Sequence, residues 1–116
     1  MSKKPSAAVE AMRQHIIDVC DANSIWLHWF AYGDKDAYAT READGAANEI
    51  VVPAIKSPLS YAVALHEIGH FLGRHQNSRN SKTRERWAWQ WARENALNWT
   101  PAMERYATGY LTKAPS

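Results

Sequence analysis

The sequence predicts an α+β domain in which a small antiparallel sheet packs against helices. Three observations carry this. Helical periodicity is found in residues 6–22 and again after Ser57, while the chain between forms short aromatic and β-branched runs broken by turn residues. Two of the later helical stretches also open on residues suited to capping, Ser57-Pro58 and Thr100-Pro101. At 116 residues the chain is expected to form one domain, 1–116, with a single modest core.

In "SAAVEAMRQHIIDVCDAN" the apolar residues Val9, Met12, Ile16, Ile17, Val19 and Cys20 fall close to one helical face, so a first helix is predicted over about residues 6–22. "SIWLHWFAYG" reads as a strand ending in the turn Gly33-Asp34. "AYATRE" is expected to be its hairpin partner. After the turn at Asp44-Gly45, "NEIVVPAI" forms a further strand, and Pro53 places it at a sheet edge, because proline cannot donate to a ladder.

Ser57-Pro58 then opens a second helix. The serine hydroxyl can accept from a free backbone N–H, and proline suits a first helical position that has no hydrogen-bond partner for an N–H. This helix runs to Leu72, with Gly73 expected as a left-handed C-terminal cap. "KTRERWAWQWARENAL" is the third helix, and Thr100-Pro101 opens a fourth through about Leu111.

Composition removes several classes. The chain is 46% hydrophobic and 22% charged, which suits a folded protein, and it carries no run of roughly 18 apolar residues. Glu10 and Arg13 interrupt the apolar core that a signal peptide would need, so a cytoplasmic protein is expected. The lone Cys20 rules out an intramolecular disulfide and a cysteine-rich zinc site. Residues 74–86 concentrate Arg74, Arg79, Lys82, Arg84 and Arg86 against Glu85 alone. No aromatic side chain interleaves these charges for base stacking, so nucleic acid is not the expected partner.

The second helix carries the chemistry. His66-Glu67-Ile68-Gly69-His70 fits H-E-x-x-H. Residues four apart on a helix lie on one face, so His66 and His70 aim their imidazoles at one point, as two ligands of a tetrahedral zinc ion require. Glu67, on the flank of that face, is placed to accept a proton from a water on the metal.

A catalytic zinc needs a third protein ligand. His75 is close, but Gln76 stands where the pattern H-E-x-x-H-x-x-G-x-x-H has its last histidine. Glu85 and Glu94 lie on opposite faces of the third helix. Glu85 shares its face with Ala88 and Ala92, small residues that allow close helix approach, whereas Glu94 sides with Trp87 and Trp91. Glu85 is the preferred ligand, with His75 and Glu94 as alternatives.

"HEIGH" followed by "ERWAWQWA", Glu85 to Ala92, resembles the ImmA/IrrE-like zinc metallopeptidases, whose H-E-x-G-H helix precedes an E-x-x-A-x-x-F-A helix; Trp91 takes the aromatic place. The resemblance covers about residues 45–97. It implies a minimal zincin-like fold, Zn2+ held by His66, His70 and Glu85, Glu67 as general acid/base, and a protein substrate such as a transcriptional repressor. The spacing from His70 to Glu85 is short and basic, and no helix-turn-helix domain accompanies it, so any repressor would be a separate protein.

In such a peptidase an extended substrate pairs with an exposed strand, and Ile50, Val51 and Val52 are the candidate substrate-binding residues. Tyr61, Tyr106 and Tyr110 are candidate donors to the reacting carbonyl. His28 is expected to pack in its strand, His15 to face solvent, and Trp87, Trp89, Trp91 and Trp99 to pack between helices. The rival expectation is a binding module that keeps the scaffold without catalysis and docks a protein or nucleic acid through the basic segment and the tryptophans.

Overall fold

The structure, a computed structural model, describes residues 6–30, 38–41 and 48–113. Helix α1 (Ala7–Ala22) starts where the Ser6 hydroxyl accepts from the Val9 N–H and turns Ile16 and Cys20 inward. Ser24, at φ 56, reverses the chain into β1 (Ile25–Phe30). Strands β2 (Tyr38–Arg41) and β3 (Asn48–Pro53) follow, then α2 (Pro58–Leu72), α3 (Ser81–Asn95) and α4 (Pro101–Lys113). Among the described residues no helix is long and apolar enough to cross a membrane.

The sheet corrects the expectation of an antiparallel arrangement. Its order is β1-β3-β2. Strand β1 runs parallel to β3, from Ile25 opposite Asn48 to Phe30 opposite Pro53, and only β2 is antiparallel to β3. The segment "AYATRE" is therefore not the hairpin partner of β1. Two reversals of direction, before and after β2, bring β3 back parallel to β1 and between the other two strands. Strand β3 is thus central rather than an edge. Pro53 is compatible with that place because it is the strand's last residue, where the ladder ends. Ile50 and Val52, both fully buried, point into the core, as befits the middle strand.

Helix α2 is the centre of the packing and touches α1, α3, α4, β2 and β3. Its start is a capping box: the Ser60 N–H donates to the Ser57 hydroxyl, and the Ser57 N–H to that of Ser60. The core gathers Ile16, Cys20, Ile25, Ile50, Val52, Leu65, Ile68, Trp89 and Met103 around it. Gly73 ends α2 with φ −74, not in the left-handed region. Glycine is needed there for space, since a Cβ would stand 2.6 Å from the Gly69 carbonyl oxygen and 2.9 Å from that of Trp87.

Asn80 caps α3 by accepting from the Thr83 N–H, and Thr100 accepts from Met103 at the start of α4. The start of α4 at Thr100-Pro101 is where the sequence placed it, whereas the Asn80 cap lies just before the expected start of α3 at Lys82. The capping residues satisfy orphan N–H groups locally, without help from distant parts of the chain.

Candidate metal centre

The site is built where α2 crosses α3. Gly69 faces Ala88 so closely that a Cβ would lie 2.4 Å from the Ala88 carbonyl oxygen and 2.9 Å from its Cα. Two backbones in contact leave short distances for side chains one turn away. His66 stands one turn before Gly69 and Glu85 one turn before Ala88, so the imidazole and the carboxylate meet between the helices.

Glu85 is bound by both histidines through the same ring atom. His66 Nε2 lies 2.6 Å from Glu85 Oε2, and His70 Nε2 lies 3.2 Å from Glu85 Oε1. Ligand atoms of His66, His70 and Glu85 all fall within 4.8 Å of one another, so this group can hold a metal ion. Its burial is graded. The His66 side chain is 3% exposed, while those of His70 and Glu85 are 21% and 20% exposed, so the cluster opens to solvent on their side.

Both remaining ring nitrogens have partners of their own. His66 Nδ1 is 3.0 Å from Glu67 Oε2, and His70 Nδ1 is 3.0 Å from Gln76 Oε1. With the Nδ1–H of each ring donating to an oxygen, Nε2 is the atom turned toward Glu85, a proton donor to it while the ring is charged and a lone pair once a metal takes the proton's place. Metal-binding histidines are held in this way by partners beyond the ligands themselves. The donor set of two imidazole nitrogens and one carboxylate would suit a divalent metal, zinc among them.

Electrostatics agree with the geometry. Burial pushes the Glu85 carboxyl up, but hydrogen bonds from His66 and His70 outweigh it and bring its pKa down to about 2. Burial pulls the His66 imidazolium down, and Glu67 and Glu85 together more than reverse that, leaving it above its ordinary value. A metal arriving at this group would displace imidazole protons. Trp89, fully buried, stacks on the His66 ring at 4.2 Å with an interplanar angle of 8°, which fixes the ring's plane from α3.

The other candidates fall outside the cluster. His75, at φ 59, lays its ring against Trp87 with centroids 4.9 Å apart. Glu94 pairs with Arg74 at 3.5 Å. Tyr61 is not a donor at the metal centre: it is fully buried, and its hydroxyl is bonded to His15 Nδ1 and accepts from the Leu97 N–H. That contact corrects the solvent-facing placing of His15, which is half-buried, with burial lowering its pKa. Tyr106 packs edge-on against Trp89, and the Tyr110 side chain lies outside the described residues.

The substrate-strand expectation for Ile50, Val51 and Val52 is also corrected. Over Ile50 and Val51 both edges of β3 are already bonded, to β1 and β2, and Val52 is bonded to β1, so among the described residues Ile50 and Val51 offer no open edge for a peptide. His28 is exposed and pairs with Glu49 at 3.0 Å on the sheet's outward face, rather than packing inside. Gln76 and Trp89 were not picked out as site residues by sequence. Gln76 marked only the place of a missing histidine, and a tryptophan on an apolar face looks the same whether or not a histidine lies on it.

Searches against protein-family models, curated proteins and solved structures found no match. The likeness to ImmA/IrrE-like metallopeptidases accordingly rests on the motif residues alone.

Proposed function

We propose that this protein is a cytoplasmic zinc-dependent metallopeptidase acting on another protein, with a transcriptional regulator as the substrate class suggested by the likeness to ImmA/IrrE-like enzymes. One observation carries the reading: the Nε2 atoms of His66 and His70 converge on the Glu85 carboxylate in a group able to hold a metal ion. Zinc at this site would supply Lewis acidity. The chain's own residues would do the rest. His66, His70 and Glu85 would hold the ion. Glu67, on leaving His66 Nδ1, takes the proton of the attacking water and returns it to the leaving amine nitrogen.

A second reading has its own observation. Glu67 rests on the far ring nitrogen of His66, where it orients a ligand rather than a substrate. A binding module with a structural metal needs no more than this. The variant Glu67→Gln separates the two, because an amide oxygen still accepts from Nδ1–H but cannot act as a base. The test uses a peptide mixture incubated with zinc-loaded protein, with new amino termini identified by mass spectrometry. New termini with the wild type and none with Glu67→Gln support the peptidase. Zinc bound equally by both proteins, with no new termini from either, favours the binding module.

A further inference from the structure

We infer that Gln76 is a positioning residue that fixes the tautomer of His70 and ties it to the backbone carrying Glu85. The inference rests on the reading of His70 as a metal ligand. Gln76 Nε2 donates to two backbone carbonyls, that of Arg74 at 3.1 Å and that of Arg84 at 2.8 Å. These two acceptors decide which way the amide points. A flipped amide would set its oxygen against both carbonyl oxygens, so Oε1 must face His70 Nδ1, 3.0 Å away. An amide oxygen can only accept. His70 therefore carries a proton on Nδ1 whenever Nε2 is a metal ligand; in the metal-free protein Nε2 faces Glu85 Oε1 and donates to it as well when the ring is charged.

Gln76 also couples two ligands. Arg84 precedes Glu85 in the first turn of α3, so the amide spans from the end of α2 to the residue beside the third ligand. The loop is shaped to deliver it. His75 adopts φ 59 and turns outward against Trp87, which leaves the next side chain, Gln76, directed inward. Arg84 closes the same loop by donating from its guanidinium to the Ser78 carbonyl.

The experiment is a zinc titration in competition with a chelator, on the wild type, Gln76→Ala, Gln76→Glu and His70→Ala. Long-range 1H–15N spectra of the zinc-loaded proteins and thermal unfolding accompany it. Gln76→Ala is expected to stay folded, to weaken zinc by about 10–100-fold, and to lose the protected His70 Nδ1–H signal. Gln76→Glu keeps an acceptor for Nδ1–H but loses the donor to the Arg74 and Arg84 carbonyls, so it is expected to recover that signal and only part of the affinity. Zinc affinity and an Nδ1–H signal unchanged in Gln76→Ala, while His70→Ala loses zinc, would overturn the positioning role and leave the metal site standing. Zinc retained by His70→Ala would instead remove the site reading, and the inference with it. Should Gln76→Ala fail to fold, Gln76→Glu decides: recovery of the signal supports the role, and its loss overturns it.

Discussion

Among the described residues two carboxylates have their pKa brought down to about 2, Glu85 between α2 and α3 and Glu104 between α3 and α4. The causes differ. Glu104 is held first by Arg93, whose Nε and Nη2 donate at 2.7 and 3.1 Å, and then by the Trp99 indole N–H at 2.8 Å. It lies at the surface, with its side chain 47% exposed. Glu85 reaches the same value against the cost of burial, and its partners are imidazoles. Arginine does not give up its proton, and histidine does. The first cluster can exchange protons for a metal ion; the second can only be a clamp. A depressed carboxylate therefore points to chemistry only when its partners can leave.

The largest test of this contrast is Gly69→Ala. The atoms it would strike belong to the Ala88 backbone, so the helices must separate. Overpacking of this kind costs about 1–3 kcal/mol, and retreat of Glu85 should weaken zinc binding as well. Denaturant unfolding and zinc titration check both effects. A variant as stable as the wild type with full zinc affinity would show that the helix contact does not set the site.

The metal-free protein offers a sharper test through pH. Both carboxylates have lowered pKa values, so each contributes stability above the unfolded value near 4.5 that is lost as pH falls through about 2. They part on the alkaline side. His66 has a raised pKa, so its pairing with Glu85 stabilises fully below 6.5 and is lost as pH rises through the folded value. The stability difference between wild type and Glu85→Gln should shrink as pH rises past neutrality, while that for Glu104→Gln should persist, because Arg93 stays charged. Equal pH dependence of the two differences would erase the contrast.

The smallest expected effect belongs to Arg93→Ala. As a partly exposed pair, with side chains 24% and 47% exposed and solvent screening still at work, Arg93 and Glu104 are worth about 0.5–1 kcal/mol. Thermal unfolding should register this modest loss with zinc affinity unchanged. A loss of zinc comparable to that of Glu85→Ala would mean that the two clusters act as one.

Much of the helical frame was legible because its signals are local. Ser57-Pro58 and Thr100-Pro101 cap the helices that follow them, and the spacing of Glu85, Ala88 and Ala92 showed which carboxylate could approach α2. The sheet was not legible in the same way. Which strand neighbours which depends on how the chain turns between them, and neither Pro53 nor the alternation in β3 records that. The contact of His15 with Tyr61 joins residues 46 positions apart, so no periodicity could announce it. Gln76 escaped notice for a related reason: an amide acquires a role at the site only through the loop that aims it.

The most direct test of the central claim is zinc per chain, by elemental analysis after dialysis, for the wild type, His70→Ala, Glu85→Ala and His75→Ala. The proposed function predicts about one tightly held zinc in the wild type and in His75→Ala, lost with His70→Ala and sharply weakened with Glu85→Ala. A wild-type protein that takes up no zinc, or a His75→Ala variant as depleted as His70→Ala, would contradict it.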